Sequence, residues 1–360
     1  MTAHLQLSVG SGVVPLGSRE KAGGLTLTEL NPPKSRPAHR SAEDTFERAE
    51  AVYENAGPRV KRQHVVSRAV LGNFTTGKSH APQVTMVDLL TGTARKVGTA
   101  DAAIEKNFIR VDSLKTEQIW GLTETLIPSA LEAARSERIL TQPDQIQVLR
   151  RVVALHFARS ISTRNVVEQT WPRIRDRVVQ QLAERESSRI SAELRPRLGR
   201  SPSREERLEL VEHAAATGVD VLTGSGAYAR IRIEQFYDQA LERFESWGVE
   251  IIRAPSNDLV ITDNPVVLAR SGDDRRAARD RMAIDDAHSI VFPLAPDLLI
   301  SMGPKTGYAR ANREAVATLN RSQIAGAHRF VFHRIGQDLS EVIMAHPGVV
   351  ETEAMVVDRP

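Results

Sequence analysis

With 360 residues, 41% of them hydrophobic and 26% charged, the chain is long enough for a sizeable core and has an ordinary globular composition. It has no cysteine, which excludes disulfides, thiolate metal sites and a cysteine nucleophile. Its net charge of +3 comes from mixed signs along the chain; 40 of the 48 basic residues are arginine, but they form no single block.

Residues 1–40 are rich in Gly, Ser and Pro and read as a disordered N-terminal arm. No signal peptide is legible there, and no run approaches the ~18 apolar residues of a membrane span. The expectation is a cytoplasmic protein with no membrane association. Ser41-Ala42-Glu43-Asp44 opens a helix that runs to about Asn55, where Gly57-Pro58 stops it. Gln63-His64 then precedes a short amphipathic run with Val70, Leu71 and Phe74 on one side. Gln83 to Leu89 and Ala94 to Val97 read as a hairpin turned by Thr91-Gly92, and Ala100 to Lys106 as a short helix.

The longest helical signals follow. Leu114 to Leu140 is spaced as a helix kinked at Pro128, and Asp144 caps a second, buried helix to about Ser160. Thr163 to Glu186 reads as a third helix, broken at Pro172. Residues 185–207, rich in Arg and Glu, read as an exposed insertion. Seven arginines there invite a nucleic-acid partner, while the interleaved glutamates and the absence of aromatics fit a solvated face. Two more helices, Glu205–Ala216 and Ala227–Trp247, close the helical middle. From Val249 the period changes to strands (Val249–Arg253, Leu259–Thr262, Ser289–Phe292, Leu298–Ser301), then a helix over Arg310–Ala327 and a strand over His328–His333. The expected fold is α+β: a central helical bundle packed with a mixed, mainly antiparallel sheet built from the early hairpin and the C-terminal strands. It forms one large domain over 41–335, with a C-terminal tail at 336–360.

Few motifs carry chemistry. Gly72 to Ser79 formally matches G-x-x-x-x-G-K-S, but an amphipathic run precedes it and His80-Ala81-Pro82 opposes a following helix, so a nucleotide loop is not the reading. His64 reads either as a general base or metal ligand, or as a half-buried histidine tying its segment to a backbone carbonyl. Asp263-Asn264-Pro265 follows the strand-like Leu259-Val260-Ile261. It reads equally as a catalytic carboxylate at a strand end or as a turn in which Asp263 or Asn264 bonds its own backbone. Glu117 and Glu124 lie two helical turns apart with Trp120 between them, as a ligand-binding pair or a solvated edge. Arg159 and Arg164 flank a helix junction, where either could pair with a carboxylate or bind an anion.

Gln63-His64-Val65-Val66-Ser67, with Leu71 and Phe74, resembles the opening motif of domain-of-unknown-function family 4238, roughly Gln-His-(Tyr/Val)-Val-Pro-x-x-Tyr-Leu-x-x-Phe. Asn107-Phe108, Glu117 and Glu124, Arg159 with Arg164, Ile261 to Val266, Phe292 to Pro296 and Asn320 agree with it in order, over about residues 60–333. Ser67 stands where the family usually has proline, and Val70 where it usually has an aromatic. The resemblance implies a fold and a set of positions but no reaction.

The expected site gathers His64, Asp263, Asn264 and Arg159 as catalytic residues, with His64, Glu117, Glu124 and Asp263 as ligands of a divalent ion, Mg²⁺ or Mn²⁺. That set suits metal-assisted hydrolysis of a phosphodiester, as in a nuclease of defence or toxin type. The alternative is a non-catalytic binding module for nucleic acid or a protein partner. Oligomeric state is not readable from the sequence.

Overall fold

The structure, a computed structural model, describes residues 42–76, 81–256, 258–269, 284 and 287–345. The N-terminal arm, Gly77-Lys78-Ser79 and the tail beyond 345 lie outside the described residues. The described residues form one compact unit.

The first helix is α1 (Ala42–Glu54). Strand β1 (Arg62–His64) pairs antiparallel with β4 (Ile104–Lys106), with His64 opposite Ile104. A helix was expected over Ala100–Lys106. Ala103 and Asn107 instead take left-handed φ values of 52° and 54°, which a helix cannot contain. Val65 N–H also donates to Ala103 C=O at 2.9 Å. Between these strands run α2 (Arg68–Asn73) and the hairpin β2 (Gln83–Asp88) and β3 (Thr93–Gly98). Ser67 occupies the N-cap of α2 and accepts from Val70 N–H, so it supplies the helix start at the position where the resembled motif usually has proline. Val70, Leu71 and Phe74 are fully buried beneath it.

The helical middle begins with α3 (Ser113–Thr125) and α4 (Ile127–Arg135), two helices where one kinked helix was expected. Pro128 falls in the first turn of α4, where its missing N–H has no partner to lose, so it starts a helix. Next come α5 (Pro143–Ala158), buried along most of its length, and α6 (Ile161–Arg185). Pro172 does not break α6. Ties on either side hold the helix through it: Trp171 Nε1–H donates to Asp220 at 2.7 Å, and Arg175 pairs with Asp220 at 3.0 Å and Glu212 at 2.9 Å. The 185–207 segment is α7 (Ser187–Leu198) with the loop into α8 (Arg204–Thr217), whose Ser203 and Glu206 form a capping box. Then follow α9 (Val219–Ser225) and α10 (Ala227–Glu245), which packs along α5 and against α1.

The C-terminal part adds β5 (Gly248–Arg253), β6 (Ile261–Thr262), β7 (Val267–Ala269), β8 (Ser289–Ala295), β9 (Leu298–Gly303), β10 (Gly307–Arg310), α11 (Arg313–Gly326), β11 (Phe330–His333) and α12 (Ser340–Met344). The early hairpin joins these strands as expected, in a four-stranded antiparallel sheet ordered β3-β2-β11-β6. The other strands form a five-stranded sheet, β10-β5-β9-β8-β7, in which β10 pairs with β5 in parallel and the remaining described pairs are antiparallel. One apolar core runs from Val65 and Phe74 through Leu149 and Leu155 of α5 to Phe292 and Phe332, and so joins the bundle to both sheets. In α12, Ile343 is fully buried against Val87, Ile324 and Val331. Among the described residues no helix is long and apolar enough to cross a membrane.

Candidate functional site

The Gln-His pair organises the backbone around it. Gln63 is fully buried; its Nε2 donates to Val60 C=O at 2.8 Å and Ile109 C=O at 3.0 Å, and Ile109 N–H donates to its Oε1 at 2.7 Å. One side-chain amide thus satisfies three main-chain groups between β1 and the segment after β4. His64 is half-buried, beside the backbone of Thr99 and Ala100. Burial, with the positive charges of Arg159 and Arg68, lowers its pKa from 6.5 to about 4. Its Nε2 is buried and takes no hydrogen bond.

His156, a residue the sequence did not single out, completes this layer. Ser67 N–H donates to His156 Nε2 at 3.1 Å, so Nδ1 carries the proton and donates to Val152 C=O at 2.7 Å. The ring lies 4.9 Å from that of Phe292, and burial lowers its pKa to about 4. A histidine among the apolar residues of α5 was the available signal.

Arg159, the C-cap of α5, is the centre of the charged part. Its side chain is 2% exposed and lies 4.8 Å over the Trp120 ring. Nη1 donates to Glu124 Oε1 at 2.8 Å, and Nη2 to Glu117 Oε2 at 3.2 Å. The seven-residue spacing on α3 places both carboxylates over one guanidinium while leaving each 22–23% exposed. Burial and the nearby Glu124 charge raise the Glu117 carboxyl above its ordinary value against the pull of Arg159. Arg164 pairs instead with Glu105 at 3.2 Å and Glu168 at 3.0 Å.

Asp263 and Asn264 belong to a different network. Asp263 is 1% exposed and accepts three backbone N–H groups, from His328, Arg329 and Phe330, each at 2.8 Å. Burial pushes its carboxyl up, and those amides and His328 pull it back. Asn264 Nδ2 donates to Gly326 C=O at 2.9 Å, and Gln323 Nε2 to Pro265 C=O at 2.8 Å. Asn320 accepts from Val260 N–H and donates to Asp258 C=O. These side chains fasten the β6 segment to α11 and β11.

The structure therefore unites Glu117, Glu124 and Arg159, with His64 close enough to feel the Arg159 charge. It gives Asp263 and Asn264 to main-chain partners. Among the described residues no three His, Cys, Asp or Glu side chains converge as a metal ligand set. The four residues expected to hold an ion do not form one: Arg159 sits between the glutamates, His64 Nε2 is buried, and the Asp263 oxygens face amides.

These features define an α+β protein whose signature polar residues bind its own backbone, apart from one arginine-bridged pair of carboxylates at the surface. A family model described as a protein of unknown function (DUF4238) matches residues 62–337, and the chain belongs to that family. No curated protein and no solved structure matches it.

Proposed function

We propose that the chain is a metal-assisted phosphodiester hydrolase whose working carboxylates are Glu117 and Glu124, with Mg²⁺ or Mn²⁺ entering together with the substrate. The observation that carries this reading is the single buried guanidinium that holds two part-exposed carboxylates. Two carboxylates and one guanidinium leave one negative charge at the outer face of α3. Arg159 engages only Oε1 of Glu124, which leaves Oε2 as an acceptor. Mg²⁺ is commonly held by one or two carboxylates plus phosphate oxygens of the substrate, so a complete protein ligand set is not required. Burial is the larger cause of the raised Glu117 carboxyl, and a cation there offsets the further contribution of the Glu124 charge. When bound, it supplies Lewis-acid stabilisation of the phosphoryl oxygens and an activated water. Arg159 fixes the separation of the two carboxylates, and Trp120 fixes Arg159.

The test is hydrolysis of bis(p-nitrophenyl) phosphate, single-stranded DNA and RNA with Mg²⁺ or Mn²⁺, alongside thermal unfolding with and without the ions in the presence of dimethyl phosphate, a slowly hydrolysed phosphodiester. Expected are metal-dependent turnover and a stabilising shift, both lost in Glu117→Gln and Glu124→Gln. Absence of turnover and of any ion-dependent shift overturns the proposal.

A second reading, a non-catalytic binding module for nucleic acid or a protein partner, is favoured by the engagement of Gln63, Asp263 and Asn264 with backbone. It expects nucleic-acid binding without turnover, weakening steeply with salt and with charge reversal at Arg189, Arg195 and Arg197.

A further inference from the structure

Helix α6 carries one apolar stripe whose two halves differ. Thr163, Val167 and Trp171 recur every four residues on one face and are buried, with Trp171 edge-on to Phe46 of α1 at 6.2 Å. Ile174, Val178 and Leu182 continue the same face at intervals of three and four residues. There the stripe lies at the surface. Ile174 is 37% and Leu182 39% exposed, and Val178, Gln181, Leu182, Glu184 and Arg185 line an open groove of about 610 Å³. Val179 and Ala183, on a neighbouring face, are buried, so this part of α6 is anchored from another side. The exposed stripe is thus a direct continuation of an intramolecular helix interface.

We infer that a second copy of this chain docks on this stripe, α6 against α6 in antiparallel sense. The charges beside the stripe select that occupant and that direction. Arg173, Arg177 and Glu184 stand at i, i+4 and i+11, on one flank of the helix. A two-fold axis near Val178 sets Arg173 and Arg177 of one copy opposite Glu184 of the other, in both directions at once, as an isologous interface requires. A parallel pairing would put this flank of the two copies on opposite edges of the seam and form none of these pairs. The partners these groups have now are weak ones. Arg173 donates to Gln169 at 2.9 Å, and Glu184 pairs with Arg204 where both side chains are more than half exposed.

Sedimentation velocity of the full chain over a micromolar concentration series tests this, and a dimer is expected. Leu182→Glu should raise the dissociation constant about thirty-fold or more, as for a central apolar anchor. Its thermal midpoint should stay near wild type, because the side chain is exposed in the single copy. Glu184→Arg should also weaken the dimer, and adding Arg173→Glu with Arg177→Glu should restore it. Because the chain has no cysteine, direction can be read by mixing two single variants. Ile174→Cys and Leu182→Cys should cross-link to each other and not to themselves. A wild type that stays monomeric across the series overturns the inference, as does a dimer that Leu182→Glu leaves intact or a cross-link confined to like variants.

Discussion

Arg159 Nη1 donates to Glu124 Oε1 across 2.8 Å, yet the arginine side chain is 2% exposed and the glutamate 23%. The two ends of this ion pair therefore have unequal claims on water. If both glutamates are removed, as in Glu117→Leu with Glu124→Leu, a guanidinium is left buried without a counter-charge. The expected loss is about 3–5 kcal/mol, the range for stranding a buried charge. Arg159→Met leaves two carboxylates that rehydrate at the surface, so its cost should be smaller, roughly 1–3 kcal/mol. Urea unfolding of the three proteins checks the order. An Arg159→Met protein less stable than the double variant would contradict it.

Stability should fall with acid below neutrality because of His156. Its folded pKa is about 4 against 6.5 for the free group, and burial is the largest cause. Between those values the unfolded chain binds a proton that the folded chain refuses, so stability rises with pH through this window. The contribution is full above pH 6.5, is lost progressively as pH falls toward 4, and amounts to at most about 3 kcal/mol. His64 adds a smaller part with the same sign, because it is only half-buried. Unfolding free energies at pH 5, 6 and 7.5 should slope upward in the wild type and flatten in His156→Gln.

At the start of β5, Gly248 pairs with Gly303, and a Cβ there would overlap the Lys305 carbonyl oxygen and lie 2.5 Å from Thr306 Oγ1. The obstacle includes backbone, so it cannot swing aside as a side-chain tip would. Gly248→Ala should therefore cost about 1–3 kcal/mol by overpacking. Denaturant unfolding measures that loss. Hydrogen exchange should show it localised to β10, the strand that follows the 305–306 turn.

Much of this fold was legible from period alone. The α5 helix and the β2–β3 hairpin follow from local signals: α5 is apolar and buried nearly all round from Val148 to Ala158, and β2 carries the buried Val84, Met86 and Val87 before the Thr91-Gly92 turn. Segments set by long-range partners were not legible. Residues 104–106 have no strand signal of their own; they become β4 because Gln63, 46 positions before Ile109, ties the two backbones together. Pro172 is a breaker by local rules, and Asp220, 49 residues after Trp171, helps hold α6 through it. At the site, the spacing of Glu117 and Glu124 puts both on the one helix face that reaches Arg159, a residue named from its junction. Nothing local marked Asp263 as an acceptor for residues 328–330 and not as a catalytic carboxylate, since a strand-end Asp serves either role. His156 was passed over because its partner is a backbone amide 89 positions away.

Asp263 gives the sharpest test of that distinction. Its two oxygens accept three main-chain N–H groups from consecutive residues, with Oδ1 taking His328 and Oδ2 taking Arg329 and Phe330. Asp263→Asn keeps the shape but replaces one acceptor oxygen with an NH₂ donor, which then confronts an amide it cannot bond. At least one buried N–H is left unsatisfied, and the expected loss is about 2–4 kcal/mol. If the residue acts only as this fastening, phosphodiester turnover measured well below the variant's melting temperature should stay within about threefold of wild type. Hydrogen exchange at 328–330 should meanwhile rise sharply. A variant that keeps wild-type stability but loses turnover would return Asp263 to the chemistry.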